Sequence, residues 1–221
     1  MSEATMAAKT HDKLDAPAKD KGKILVVEDD LALRKMLFNS LEMQGFIVNE
    51  ADNRQSALDT LQDDQEISVV ILDLGLPPME HTTDEGLNVI RQITDEMIPV
   101  KIIVLTGQDE ERSALEAIRE GAFDFLSKPA SFEDILISVN RAFLFHHNEL
   151  AMSADGVTRL QLSTKMSDGL KAVREEAEEK LVRQVLKETG FNIYQSAAKL
   201  GIKRESIYYF MKKFGISRNK D

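Results

Sequence analysis

Apolar and polar positions alternate in a repeating order over residues 23–146. Short, wholly apolar runs such as residues 24–27 are typical of strands that are covered on both faces of a parallel sheet. Longer stretches with apolar residues three or four positions apart, the spacing of a helix, separate these runs. The pattern predicts five strands, at 24–27, 47–51, 69–72, 102–105 and 123–126, and five helices, from Leu31 to a C-terminal cap near Gly45, near 54–61, 86–93 and 110–120, and after Ser131.

This alternation predicts an α/β fold, a doubly wound five-stranded parallel sheet. After residue 147 the periodicity is lost and then returns as a charged helix near 170–188 and two short helices, which predict a small all-α domain. The chain is therefore divided into four parts: a disordered lead-in at 1–22, the α/β domain at 23–147, a linker at 148–169 and the helical domain at 170–221.

The net charge of −10 is unevenly distributed along the 221 residues. The 42 residues from Lys180 onward hold ten Lys or Arg and three Asp or Glu, a net of +7, which leaves −17 for the remainder. Such a split predicts two units with different partners. There is no cysteine, which excludes disulfides and thiol nucleophiles, and no apolar run approaches the roughly 18 residues of a membrane span. We expect a cytoplasmic protein with no membrane partner.

Charged and hydroxyl side chains stand at the ends of four predicted strands: Glu28 and Asp29, Asp73, Thr106 and Lys128. A parallel sheet brings these ends to one edge, where ligands bind. Carboxylates gathered in this way suit Mg²⁺, and a lysine with a hydroxyl suits a phosphoryl group, which an aspartate can accept covalently. Each residue alone also has a plainer interpretation, because an Asp after a strand commonly caps a helix and Lys-Pro commonly forms a turn.

Four motifs in order resemble the receiver domain of two-component response regulators, a flavodoxin-like fold: ILVVEDD at 24–30, LDLGLP at 72–77, VLTG at 104–107 and FLSKP at 125–129. The resemblance implies that Asp73 accepts phosphate from a sensor histidine kinase. It implies that Mg²⁺ is held by Glu28, Asp29, Asp73 and the backbone carbonyl of Gly75.

The same resemblance implies that Thr106 and Lys128 contact the phosphoryl oxygens and that Phe125 is the aromatic switch residue, although it is also a plausible core residue. Asp30, just past the acidic pair, is expected to cap the first helix.

The loop from Asp73 to Gly86 is several residues longer than the usual receiver pattern and resembles regulators associated with PEP-CTERM sorting systems. It either influences kinase choice and phosphate lifetime or is a tolerated surface insertion. His81, His146 and His147 lack partners at metal-ligand spacing and are expected at the surface.

The two short C-terminal helices, joined by Gly201-Ile202-Lys203, have the spacing of a helix-turn-helix. Small or apolar residues, among them Ala197 and Ala198, are expected to face inward. The residues expected to contact DNA lie on the second helix, with base-edge contacts first and phosphate contacts last: Lys203, Arg204, Ser206, Tyr208, Tyr209, Lys212 and Lys213. The alternative to DNA binding is a small helical tail for dimerisation, whose lysines only keep its surface soluble.

Residues 170–217 resemble the Fis-type DNA-binding domain, which implies that Arg204 reads a base and that a homodimer forms through the first helix. The phosphate-cradling loop of the ATPase found in regulators of the NtrC kind is absent from the sequence. The order of domains instead resembles short RegA/ActR/PrrA-like regulators.

The leading hypothesis is a DNA-binding response regulator that is controlled by phosphorylation of Asp73. Its partners are a histidine kinase, double-stranded DNA and a second copy of the chain, and it is not an enzyme acting on a separate substrate. A phosphate-independent dimerisation platform and a Mg²⁺-dependent phosphohydrolase are the alternatives.

Overall fold

The computed structural model describes residues 21–107, 110–154, 156, 157, 160, 162 and 169–217, with the side chains of 110 and 111 excepted. The predicted lead-in up to residue 20 and most of the predicted linker after residue 154 lie outside the described residues.

The N-terminal unit is a five-stranded sheet in the order β2-β1-β3-β4-β5, and every neighbouring pair is parallel. The strands are β1 (Lys23–Val27), β2 (Ile47–Ala51), β3 (Ile67–Leu72), β4 (Lys101–Thr106) and β5 (Asp124–Ser127). The helices are α1 (Leu31–Met43), α2 (Arg54–Asp63), α3 (Asp84–Asp95), α4 (Glu110–Glu120) and α5 (Phe132–Ala154). The predicted doubly wound fold is confirmed, because each crossover between parallel strands contains a helix.

Helices cover both faces of the sheet, so two apolar clusters form. Successive side chains of a strand point to opposite faces. Leu25 and Val27 of β1 therefore pack with α2, α3 and α4, whereas Ile24 and Val26 pack with α1 and α5. This explains why the strands are continuous apolar runs rather than alternating ones.

Helix α1 begins at a side-chain cap, as predicted. The Asp30 carboxylate accepts hydrogen bonds from the backbone N–H groups of Ala32 and Leu33 at 2.8 and 2.9 Å. The sequence pattern predicts a helical stripe of Leu31, Arg34, Met36, Leu37 and Leu41. Of these only Leu37 and Leu41 are buried, whereas Leu31 and Met36 are exposed and Arg34 makes polar contacts.

Helix α5 is 23 residues long and continues to Ala154, beyond residue 148, where the sequence places the start of the linker. Its first half packs on the sheet through Ile135, Val139 and Ala142. Farther along, Lys101 of β4 pairs with Glu149 at 2.5 Å. This ion pair ties the later turns of α5 to the sheet.

The C-terminal unit consists of α6 (Gly169–Glu188), α7 (Ile193–Leu200) and α8 (Arg204–Lys213). Asn192 caps α7 by accepting the Gln195 N–H at 3.1 Å, and Gly201 ends it in the left-handed region at φ 65°. The small core contains Val182, Leu186, Ala197, Ile207 and Ile216. Ala198 is exposed, so the expectation that it faces inward is wrong.

The helices of the described residues include none that combines the length and the apolar character needed to cross a bilayer.

Substituting Gly86 tests the close contact between α3 and the segment that follows β3. A Cβ on Gly86 would lie 2.4 Å from the Cα of Leu74, a backbone atom that cannot move aside cheaply. We expect Gly86→Ala to lower the free energy of unfolding in urea by about 1–3 kcal/mol. Gly107→Ala is the control, because nothing lies within 4 Å of its Cβ position. Equal stability of the two variants would contradict this packing.

Candidate functional site

The acidic residues predicted at the strand ends meet at one edge of the sheet. Glu28 follows β1 and Asp73 follows β3, and the Asp73 N–H donates to the Val27 carbonyl at 2.9 Å, which holds the two strand ends together. One carboxylate oxygen each of Glu28, Asp29 and Asp73 lies within 4.8 Å of the others. Oxygen donors of this kind are the ligands that Mg²⁺ prefers, so the three residues fit a divalent cation.

Lys128, which follows β5, bridges two of these carboxylates. Its ammonium donates to Glu28 Oε2 at 2.7 Å and to Asp73 Oδ2 at 2.8 Å. The Glu28 side chain is only 3% exposed and that of Asp73 11%, so the ion pairs are largely shielded from water. Burial raises the pKa of Glu28 to about 7, and the charge of Asp73 adds to the rise against the opposing bond from Lys128. Burial disfavours the ammonium, but the bonds to Asp73 and Glu28 outweigh it and raise the pKa of Lys128.

Thr106 and Lys128 are joined through the backbone. Thr106 is the last residue of β4 and is buried, and its carbonyl accepts the Lys128 N–H at 2.6 Å. Phe125 is half-buried and packs against the cluster beneath α2, α3 and α4. The structure thus brings Thr106 and Lys128 to the same sheet edge as Asp73 and places Phe125 on the neighbouring strand.

The long loop after Asp73 folds back beside the pocket. The Gly75 N–H donates to Asp73 Oδ1 at 3.3 Å. A Cβ on Gly75 would lie 3.0 Å from the Glu80 carbonyl oxygen and 3.8 Å from Asp73 Oδ2. The end of the predicted insertion forms the first turn of α3, where the buried Glu85 pairs with Arg54 at 3.1 Å. The loop is therefore packed against the site.

The three histidines considered above, His81, His146 and His147, differ in their surroundings. His81 and His147 are exposed, as expected. His146 is half-buried, and burial lowers its pKa against an opposing backbone hydrogen bond at Pro99.

Sequence reasoning missed one residue beside the pocket, Arg34 of α1. Its guanidinium donates to the carbonyls of Glu28 and Asp29. The available signal was a charged residue inside the apolar stripe of α1.

The predicted DNA-contacting residues of α8 fall into two groups. One group is exposed or half-buried at the surface: Lys203, Arg204, Ser206, Tyr208, Tyr209 and Lys212, with 60% and 61% exposure for the two tyrosines. Lys213 instead faces α6, where its ammonium lies 3.3 Å from Glu178 and 3.4 Å from Glu175. Tyr194 of α7, which sequence reasoning did not select, is 71% exposed on the same unit.

A doubly wound α/β domain with an acidic cluster and a lysine at its carboxyl edge, followed by a helix-turn-helix, defines a class of two-domain regulatory protein. The family model described as response regulator receiver domain matches residues 24–140, more than half of the chain, and the chain belongs to this family. The model for the Fis family of bacterial regulatory proteins matches residues 173–214.

Known relatives agree with this assignment. The C4-dicarboxylate transport transcriptional regulatory protein DctD of Pseudomonas aeruginosa is 32% identical over 127 residues, which are 58% of this chain and 26% of DctD. Response regulator MprA of Mycolicibacterium vanbaalenii is 35% identical over 114 residues, 52% of this chain and 47% of MprA. Less than half of either relative is matched by this chain.

A solved structure is similar to the N-terminal unit. The response regulator receiver domain protein from Clostridium thermocellum is 30% identical, with a TM-score of 0.53 over 59% of this chain and 99% of that one.

Two neighbouring aspartates provide a matched test of the acidic cluster. A bound cation stabilises the folded chain by mass action, about 2.7 kcal/mol at 100 times its dissociation constant. We expect Mg²⁺ to raise the melting temperature of the wild type and Asp29→Asn to lose most of that rise. Asp30→Asn should keep the rise, because Asp30 lies outside the cluster and asparagine still caps α1. Equal loss in both variants would contradict the assigned ligands.

Proposed function

We propose that the chain is a DNA-binding response regulator of a two-component system. A sensor histidine kinase phosphorylates Asp73, and the phosphorylated protein dimerises and binds specific sequences of double-stranded DNA to control transcription. The observation that carries the proposal is the Asp73 carboxylate, 2.8 Å from the Lys128 ammonium inside an acidic cluster, in a chain that also holds a helix-turn-helix.

The pocket residues have distinct roles in this proposal. An oxygen of Asp73 forms the new bond to phosphorus while the bond between phosphorus and the phosphohistidine nitrogen of the kinase breaks, and the released nitrogen takes up a proton. The Lys128 ammonium and the Thr106 hydroxyl contact the oxygens of the transferred phosphoryl group. Glu28, Asp29, Asp73 and the carbonyl of Gly75 would hold Mg²⁺. When bound, the ion supplies positive charge that neutralises the phosphoryl oxygens.

Phosphorylation of Asp73 acts as a switch through residues at the same sheet edge. The phosphoryl group adds about 1.5 to 2 negative charges and strong acceptor oxygens. A shift of Lys128 toward these oxygens also pulls on Thr106, since the two are joined by a 2.6 Å backbone hydrogen bond. Phe125 of β5, which pairs with Val104 two residues before Thr106, then turns inward. Phosphate in this way shifts a population of existing conformations.

A homodimer presents two recognition helices to DNA about 34 Å apart, one turn of the duplex. Four apolar positions of α6, Leu170, Val173, Ala177 and Leu181, lie three or four residues apart, and none of them is buried. Leu170 is 88% exposed. This stripe supports dimerisation through α6, because a second copy would remove it from water.

The proposed protein acts in the cytoplasm, where a kinase and DNA are both accessible. We expect no activity on a separate substrate, because the basic helix-turn-helix has no part in a phosphohydrolase.

Loss of the phosphoacceptor tests the central step. For the wild type we expect a small phosphodonor with Mg²⁺ to add the mass of one phosphoryl group and to tighten binding to a specific DNA site at least about fivefold, or about 1 kcal/mol. Asp73→Asn should show neither change. The exposed Asp84 at the start of α3 offers the matched control, Asp84→Asn, which should behave as wild type. A DNA response that survives in Asp73→Asn contradicts phosphorylation control.

Substitutions of two basic residues of α8 distinguish contacts with DNA bases from contacts with DNA phosphates. We expect Arg204→Ala to lose about 1–3 kcal/mol of affinity for the specific site and to relax base preference at one position. Lys212→Ala should weaken binding to all sequences alike and reduce the salt slope by about 1. Binding assays with specific and scrambled duplexes at several salt concentrations measure both effects. A uniform loss in Arg204→Ala would show that Arg204 contacts only phosphate.

A further inference from the structure

Arg34 of α1 contacts the backbone of the acidic pair. Its Nη1 donates to the carbonyl oxygen of Glu28 at 2.5 Å and to that of Asp29 at 3.2 Å. The Arg34 side chain is only 13% exposed, so these bonds lie in a largely water-free environment, where they are stronger than at the surface. One guanidinium thus holds the two residues whose carboxylates enter the cluster.

Arg34 is itself held by Glu50 of β2. The Arg34 Nε lies 3.6 Å from Glu50 Oε1, and that oxygen is the buried side-chain atom without a hydrogen-bond partner among the described residues. The other carboxylate oxygen of Glu50 accepts a bond from Lys35 at 2.6 Å. Attraction to the positive charge of Arg34 therefore compensates the lost hydration of the buried Glu50 oxygen. The same attraction holds the guanidinium in place from β2.

The segment between β1 and α1 is consequently fixed at three points. The Glu28 N–H donates to the Ala51 carbonyl at 3.1 Å, Arg34 holds the two carbonyls, and Asp30 caps α1. A planar guanidinium suits this task, because its fixed fork directs Nη1 at the two carbonyls while Nε faces Glu50, whereas an ammonium is a single flexible point charge.

We propose that Arg34 is a positioning residue for divalent-cation binding: it holds the backbone of Glu28 and Asp29 so that their carboxylates converge with Asp73. The inference rests on the proposed function, since it concerns the cation that phosphorylation of Asp73 requires. Outer-shell groups that orient metal ligands typically contribute 10–100-fold to metal affinity.

Charge and positioning predict opposite effects when Arg34 is removed. A positive group next to a cation site repels the cation, so loss of the charge alone would tighten binding. Loss of the two carbonyl bonds frees the ligand segment and weakens binding. Lys35 provides the matched control, because it pairs with the same Glu50 but is not among the groups bonded to the two carbonyls.

The test is a titration of the full chain with Mn²⁺. Binding is measured by calorimetry and, independently, by the electron paramagnetic resonance signal of free Mn²⁺. We expect the Mn²⁺ dissociation constant of Arg34→Met to rise about tenfold or more, and that of Lys35→Met to stay within about twofold of wild type or fall. Urea unfolding in metal-free buffer measures the stability of each variant separately. The loss of Mn²⁺ affinity in Arg34→Met should be larger than the loss that its unfolded fraction alone would cause.

A second variant, Arg34→Lys, keeps the charge and is less disruptive to the fold. It should also bind Mn²⁺ more weakly than wild type, because an ammonium does not reproduce the fork. The inference is overturned if folded Arg34→Met or Arg34→Lys binds Mn²⁺ as tightly as wild type. A wild-type chain that binds Mn²⁺ in this titration, and that takes up a phosphoryl group in the phosphodonor experiment on Asp73, leaves the proposed function standing whatever the result for the variants. A wild type that binds no Mn²⁺ contradicts the proposed function as well.

Discussion

The candidate site depends on the two ion pairs that the Lys128 ammonium makes with Glu28 and Asp73. A parallel sheet brings the ends of β1, β3 and β5 together, and the chain places Glu28, Asp73 and Lys128 there. Two buried carboxylates in contact would repel each other unless a proton or a cation compensated them. Bonds of 2.7 and 2.8 Å from one ammonium satisfy both, so the pocket can form before any phosphate arrives. Removing one partner of such a buried pair costs about 3–5 kcal/mol, because the remaining charge is left uncompensated.

The same lysine links the pocket to the rest of the sheet. Its side chain contacts Asp73 while its backbone N–H contacts the carbonyl of Thr106, so in the proposed switch a change in charge at Asp73 would act on β4 and β5 together. On the other side of the pocket, Arg34 fixes the segment that carries Glu28 and Asp29. Two sets of contacts, those of Arg34 and those of Lys128, thus connect the pocket to different parts of the domain.

The strands and the pocket could be predicted because their signals are local. An apolar run between polar residues marks a buried strand, and residues after such strands must converge if the sheet is parallel. The backbone contacts of a side chain have no such signal, even when they are close in sequence. Arg34 lies six and five residues from Glu28 and Asp29, but the sequence shows only a charged residue in the α1 stripe, and its bonds to their carbonyls appear only in the fold. Ala198 was misplaced for a related reason, since the small residues at 197 and 198 are adjacent and only one can face the core. The composition of residues 148–154 likewise did not reveal that α5 continues.

The distribution of charge limits how phosphorylation can act on DNA binding. Within the C-terminal unit, Lys199 pairs with Glu188, and Lys213 pairs with Glu175 and Glu178. Part of the positive charge of this unit is therefore neutralised by its own carboxylates. A phosphoryl group would add negative charge to a unit that is already strongly acidic, and by simple repulsion it would weaken binding to DNA. Screening over about 8 Å at physiological salt removes most of this long-range effect. In the proposed function, an increase in affinity on phosphorylation would therefore have to come from conformation and from dimerisation, which would place two copies of Arg204 on one duplex, rather than from net charge.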